Sequence, residues 1–254
     1  MQKSRPSVPQ VLPIALTPTE FHQAVLDLSP KIAVFDCDGT LWSGDAGSGF
    51  MHWSIETGLV SRDTADWIDA KYRGYLRSEV SELDICGQMV QMYQGLREEE
   101  MRAAARVFFQ TRIEKNIFPE MLALVDELRS RNVEIWAVSS TNDWVIEEGV
   151  QRFGIPAARV LSARVRVVDG IVTDTLLDVP TDEGKAASLA RAGITRPDVV
   201  FGNSIHDAAM LAIARSQKGA SGAFPVNPSP ALLERSTQEA WPVFYPASVM
   251  PTSR

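Results

Sequence analysis

The sequence has little cysteine. Its 254 residues include two, Cys37 and Cys86, and they do not form a CxxC pair. Two thiols cannot supply a metal cage, so both are expected to be reduced, as in a reducing compartment. An excess of positive charge is also missing: 25 Lys and Arg stand against 32 Asp and Glu, a net charge of −7. Nucleic-acid partners recruit basic surfaces, so that role is excluded, whereas small phosphorylated ligands, held by local sites, are not. No stretch approaches the roughly 20 apolar residues that a membrane span needs. The stretch from Met1 to Leu16 carries Pro6, Pro9 and Pro13 and lacks the apolar run of a signal peptide. No membrane partner and a cytoplasmic location are therefore expected. Internal repeats and low-complexity tracts are absent, and no proline occurs between Pro30 and Pro119.

What is present fits a globular enzyme. The chain is 45% hydrophobic and 22% charged, and at this length folding buries roughly 70–75% of the unfolded surface. Residues 1–18 read as a Pro-rich, weakly ordered lead, and Thr19 to Leu28 as a short helix. Lys31 to Asp36 is a compact apolar run ended by Gly39, which predicts a buried strand. From Gly44 to Lys115 the pattern turns helical, most clearly over 63–77 and 97–115, with charged faces around a small core. After Pro119, a helix start, strand and helix alternate. Strands are expected at 133–138, 198–201 and 222–226, and helices at 119–128, 142–153, 183–192, 207–214 and 230–240. Asp169-Gly170 marks a hairpin within 164–174. This order predicts an α/β fold: a Rossmann-like, doubly wound parallel sheet with helices on both faces and an inserted helical unit. The expected division is a discontinuous core, 1–43 with 116–254, and a helical cap, 44–115.

Ligands of open α/β sheets bind beyond the carboxyl ends of the strands. There the sequence places Asp36-Cys37-Asp38-Gly39-Thr40 after one strand and Ser139-Ser140-Thr141 after another. Gly202-Asn203-Ser204-Ile205-His206-Asp207 follows a third, and Lys185 opens a helix. Two carboxylates at i and i+2 repel unless a cation or proton intervenes, and Mg²⁺ with oxygen ligands is the natural neutraliser. A lysine and a serine hydroxyl then add a charge and a donor for phosphate.

These motifs, in this order, closely resemble the haloacid dehalogenase superfamily. The helical insert after the first motif resembles the cap of its phosphoserine-phosphatase-like branch, as does Val226-Asn227-Pro228 followed by a helix and Trp241. The resemblance implies a Mg²⁺-dependent phosphatase of a small phosphorylated metabolite, working as a monomer or homodimer. Asp36 would be the nucleophile that becomes an aspartyl-phosphate, and Asp38 the general acid and then base. Ser139 and Lys185 would hold the phosphoryl oxygens. Asp36, the Asp38 carbonyl, Asn203 and Asp207 would form the metal site. Asp45, Ser140 and His206 are the expected substrate contacts, Asp45 because that branch places an acidic residue near the substrate amine.

The chain departs from the family at Asn203, where Asp is usual, and weaker Mg²⁺ binding is expected. A phosphotransferase using an alcohol acceptor and a catalytically weakened regulatory protein are the alternatives. Some features carry equally simple structural readings. Asp45 suits a helix N-cap. Gly44, Gly47 and Gly49 suit a flexible hinge. Trp42, Trp53 and Trp67 suit a core, with Trp42 or Trp53 forming a wall if either faces the site. Lys71, Arg73 and Arg77 suit a solvated helix face, and His22 and His52 surface or packing positions.

Overall fold

A computed structural model describes residues 13–217 and 219–249. In chain order the first elements are β1 (Ala15–Leu16), α1 (Pro18–Asp27) and β2 (Ile32–Phe35). Four helices follow: α2 (Ala46–Glu56), α3 (Arg62–Leu76), α4 (Glu82–Gln91) and α5 (Glu98–Phe108). Then come α6 (Pro119–Ser130), β3 (Glu134–Asn142), α7 (Asp143–Val150), β4 (Val160–Val168), β5 (Ile171–Asp178), α8 (Glu183–Arg191), β6 (Val199–Gly202) and α9 (Ala208–Ala212). The chain continues through β7 (Ser216–Gln217), β8 (Ala220–Ser221), β9 (Ala223–Pro225), α10 (Pro230–Glu239) and β10 (Val243–Phe244).

The main sheet has six strands in the order β5-β4-β3-β2-β6-β9. All its pairings are parallel except β4 with β5. Period-2 alternation divides the strand side chains between two apolar layers. Ala33, Phe35, Val199 and Phe201 join one layer with the helices α1, α6 and α7, while Val34, Val138 and Val200 join the other with Leu189, Met210 and Leu232. The expected doubly wound α/β architecture is therefore present. The chain leaves β2 for neighbours on either side, so the crevice past its carboxyl end is a topological switch point.

Several boundaries differ from those expected. Residues 1–12 of the Pro-rich lead lie outside the described residues, but its end is ordered: Ala15 and Leu16 pair with Val243 and Phe244. Thr17 then caps α1 in a reciprocal box with Glu20. β3 runs on to Asn142, with a register shift against β4 between Ser139 and Asn142. The hairpin extends to Asp178, and its turn residues Asp169 and Gly170 both take positive φ, 51° and 76°, as a type I′ turn requires. The expected helix 97–115 breaks into α5, a π turn at Phe109–Ile113 and a 3₁₀ turn at Glu114–Asn116.

Chain entry and exit of the helical insert run side by side. Ser43 N–H donates to Asn116 O at 2.9 Å and Phe118 N–H to Leu41 O at 3.0 Å. The insert does not bury a separate small core. Phe50, Ile85, Met101 and Phe108 belong to the same apolar cluster as Phe35 and Leu124. The π turn sets Phe109 edge-on to Trp42, with ring centroids 5.2 Å apart, beneath Gly149 of α7.

That contact yields a test of packing against propensity. A Cβ on Gly149 would lie 2.5 Å from Phe109 Cε2 and 2.9 Å from Trp42 Cη2, both rings being fully buried. Gly149→Ala gains up to ~1 kcal/mol in helix propensity but incurs ~1–3 kcal/mol of overpacking. The expected outcome in denaturant unfolding is a net loss of stability.

Candidate active site

Asp36 continues β2, its N–H donating to Phe201 O at 2.9 Å. Strand pairing therefore fixes the carboxylate at the switch point. The chain then turns sharply: Thr40 and Leu41 N–H both return to Cys37 O, and Gly39 takes φ +75°. A Cβ on Gly39 would lie 1.9 Å from Asn203 Nδ2, so the turn needs glycine both for its conformation and for the approach of that amide. The turn sends the two carboxylates into different surroundings. Asp36 is 5% exposed and accepts Thr40 Oγ1 at 2.8 Å and Lys185 Nζ at 2.7 Å. Asp38 faces the insert, accepting Trp42 Nε1 at 2.6 Å, Ala46 N–H at 2.8 Å and Thr141 Oγ1 at 2.7 Å.

Lys185 projects from the first turn of α8 and is 2% exposed. Its ammonium joins Asp36 Oδ1 to Asp207 Oδ1 and lies 3.5 Å from Val138 O. Asp207 is fully buried, and its other oxygen accepts the N–H groups of Asn203 and Ser204, both at 2.9 Å. Burial alone would push Lys185 down, but Asp207 and Asp36 hold it well above its usual range. Burial, then the Asp207 charge, pushes Asp36 up to about 6 against the pull of Lys185. Burial, then Asp45, pushes Asp38 up to about 7 against its three donors. Each carboxyl therefore resists ionisation in the absence of further positive charge.

At the end of β3 the register shift acts as a bulge that re-aims side chains. Ser139 is 2% exposed, with its Oγ accepting Thr141 N–H at 3.2 Å, and Thr141 reaches across to Asp38. Asn142 caps α7. Asp36, Asp38, Asp45, Ser139, Ser140, Lys185, Asn203 and His206 all line one cavity of about 210 Å³. Asp207, the remaining expected site residue, lies behind it against Lys185.

Several of these side chains also have partners within the protein. Both Asp45 oxygens are engaged by its own helix: it caps α2, accepting Ser48 N–H at 2.9 Å and Ser48 Oγ at 2.8 Å. His206 is turned sideways, with Nδ1 2.7 Å from Asp182 Oδ1 and Nε2 3.8 Å from Glu82 Oε2. Trp42 belongs to the core and also to the site, as a hydrogen-bond donor rather than a wall. Trp53 stacks on Phe50, Trp67 is exposed, and neither lines the cavity. Gly47 provides space, because a Cβ there would lie 2.6 Å from Thr141 Oγ1. Arg73 and Arg77 form exposed ion pairs with Asp69 and Glu79, as a solvated face should.

Sequence reasoning missed Tyr72, Tyr75 and Glu82, which line the same cavity. The tyrosines lie at i and i+3 of α3, and Glu82 opens α4 just after its cap Ser81. Acidic residues are common in a first helical turn for dipole reasons alone, so the only sequence signal was the one-face spacing of the tyrosines.

The described residues contain no cluster of three His, Cys, Asp or Glu side chains set to hold a metal. The oxygen donors here are two carboxylates, Asp36 and Asp207, with the Asn203 amide beside them. They share one lysine, which leaves one negative charge unbalanced. Oxygen ligands with residual negative charge suit a hard divalent cation.

Residues 33–212 match the family model described as haloacid dehalogenase-like hydrolase. A histidinol-phosphatase of Neisseria meningitidis serogroup C (strain 8013) is 23% identical over 224 residues, spanning 84% of this chain and 97% of that protein. Among solved structures, a protein of unknown function from Bordetella pertussis Tohama I has a TM-score of 0.70 at 20% identity, covering 84% of this chain and 97% of that one. A phospho-aspartyl intermediate analogue of phosphoserine phosphatase has a TM-score of 0.55 at 17% identity, covering 85% and 93%. The structural likenesses carry the fold, and the family model spans most of the chain together with every motif of the site. The chain belongs to the haloacid dehalogenase-like hydrolases.

Proposed function

We propose that this protein is a magnesium-dependent phosphatase of small phosphate monoesters, with Asp36 as nucleophile. The observation that carries the reading is the buried lysine joining the carboxylates of Asp36 and Asp207, with a third carboxyl, Asp38, held aside by three donors. This arrangement gives two neighbouring acids different tasks. The phosphatase relatives support the reading.

In the first step an Asp36 oxygen attacks phosphorus and the bond from phosphorus to the ester oxygen breaks. Asp38 gives its proton to the leaving oxygen, for which a carboxyl raised to about 7 is well matched. The product is an aspartyl-phosphate. In the second step Asp38, now ionised, takes a proton from water as that water attacks phosphorus. Phosphate leaves and Asp36 is restored. Lys185 and Ser139 hold the phosphoryl oxygens and offset the charge that develops on them. Asp36, the Asp38 carbonyl, Asn203 and Asp207 are the residues proposed to hold Mg²⁺, which when bound supplies charge neutralisation for carboxylate and phosphate. Residues 44–115 are proposed as a cap over a core of 1–43 and 116–254. The paired entry and exit at Ser43 and Asn116 support a two-stranded connection on which such a cap would move. A cavity of about 210 Å³ is below the roughly 300–1,000 Å³ of drug-sized sites and suits a small metabolite. Among the described residues no helix is long and apolar enough to cross a membrane, and a cytoplasmic site of action is proposed.

Two outcomes follow. Wild-type protein with Mg²⁺ should release phosphate from p-nitrophenyl phosphate, and Asp36→Asn should lose at least ~10³-fold in rate, the scale of losing a nucleophile. A wild type as slow as the variant across a panel of phosphorylated metabolites would overturn the reading. Asn203→Asp should lower the Mg²⁺ concentration for half-maximal rate by about tenfold, because ligand charge count tunes divalent affinity. Equal half-saturation in the two proteins would show that Asn203 is not a ligand.

A further inference from the structure

Two segments meet at the buried lysine: the start of α8, which carries Lys185, and the loop after β6, which carries Asp207. Among the described residues, two side-chain bonds join them. One is the ion pair of Lys185 with Asp207. The other joins His206 Nδ1 to Asp182 Oδ1 at 2.7 Å. A carboxylate only accepts, so the imidazole N–H is the donor.

Asp182 is unexpected at its position. Its φ is 50° and its ψ −129°, close to the roughly +60° and −120° of the first central residue of a type II′ turn. Gly184 N–H closes that turn on Thr181 O at 2.8 Å. Glycine is the residue such a position ordinarily takes, and any side chain there is strained. Neither common reason for an acid at a helix start accounts for it. The Asp182 side chain makes no capping bond to α8, and Glu183 already supplies negative charge to the first turn. The bond to His206 is the one hydrogen bond that the Asp182 side chain makes among the described residues.

We propose that Asp182 is a positioning residue, kept in a glycine conformation because its bond to His206 locks the start of α8 to the loop that carries Asp207. The inference rests on the phosphatase reading above and adds how its lysine is held in place. Lys185 N–H donates to Asp182 O at 3.2 Å, and His206 directly precedes Asp207 in the chain. The pair therefore fixes the backbones of two residues that the ion cluster joins only through a long, flexible side chain. During reaction the Lys185 ammonium has to be shared between Asp36, Asp207 and the incoming phosphoryl oxygens. A second bridge keeps the two backbones in register while that sharing takes place. Misplacement of a catalytic group by about 1 Å costs as much as ~100-fold in rate, so a backbone lock of this kind acts on the chemistry without touching the substrate.

The test compares wild type with Asp182→Gly, Asp182→Asn, His206→Ala and the double variant Asp182→Gly/His206→Ala, each with Mg²⁺. Glycine relieves the strained turn and deletes the acceptor, whereas asparagine tolerates positive φ and keeps an acceptor oxygen. Asp182→Gly should melt at or above the wild-type temperature yet lose on the order of tenfold in kcat/KM for p-nitrophenyl phosphate, a fraction of the loss from a 1 Å misplacement. Asp182→Asn should keep most of the rate. The double variant should be no slower than the slower single one, because both changes remove the same bond. A glycine variant as fast as wild type, an asparagine variant as slow as the glycine one, or losses that multiply in the double variant each overturn the proposal. A glycine variant that melts far below wild type marks the bond as structural alone and overturns it too. Calorimetry with inorganic phosphate reads the placement of Lys185 without turnover: affinity should fall in Asp182→Gly and be kept in Asp182→Asn. That pattern in a protein that hydrolyses no ester would leave the positioning role standing and remove the phosphatase reading. Hydrolysis by wild type, with rate and phosphate affinity unchanged in Asp182→Gly, would do the reverse.

Discussion

The structure depends on one buried ion cluster: Lys185 between Asp36 and Asp207. Its members come from the end of β2, the first turn of α8 and the segment after β6, and only a parallel sheet with β6 beside β2 brings them together. Such clusters are poor devices for stability, because desolvating the charges consumes most of what their attraction returns. An apolar trio would suit this sheet better if stability were the only demand. The cluster also leaves one negative charge unbalanced, and burial, then the Asp207 charge, raises Asp36. A carboxylate held short of full compensation is poised to accept positive charge, and on the proposed reading a divalent cation and the lysine would face the phosphoryl group together.

The placement of Asp38 follows from the same turn. Four residues, Asp36 to Gly39, separate two identical side chains so far in environment that one sits with lysine and the other with indole, hydroxyl and a helix-start amide. The Ala46 N–H bond has a further consequence. It ties Asp38 to the first residue of α2, so the acid is oriented by the same segment that leads into the insert. Gly47 allows this by letting α2 approach Thr141. The orientation of the Asp38 carboxyl and the position of the start of α2 are thus mechanically linked.

What the sequence made legible was whatever strand periodicity and local motif encode. Lys31 to Asp36, Ser139, Lys185 and the segment from Gly202 to Asp207 were readable because each polar group directly follows or opens a strongly patterned element, and the order of elements implied the sheet. Illegible features depended on partners far away in the chain. β1 is two residues long and exists through β10. The π turn at Phe109 answers to the packing of Trp42 and Gly149. Asp45 shows the limit from the other side: a substrate contact and a helix cap demand the same residue type at the same position, and only the occupied oxygens separate them.

Asn203 is best understood against this charge balance. With an aspartate in its place, one lysine would face three carboxylates, and Asp36 would be raised further whenever no metal was bound. The amide keeps an oxygen ligand available without adding that repulsion, and it packs against the Gly39 turn where the chain approaches most closely. On the proposed reading, the amide would therefore exchange metal affinity for tolerance of the metal-free state. It also shifts the work of neutralising Asp36 toward Lys185, which is already held strongly protonated by the two carboxylates it joins.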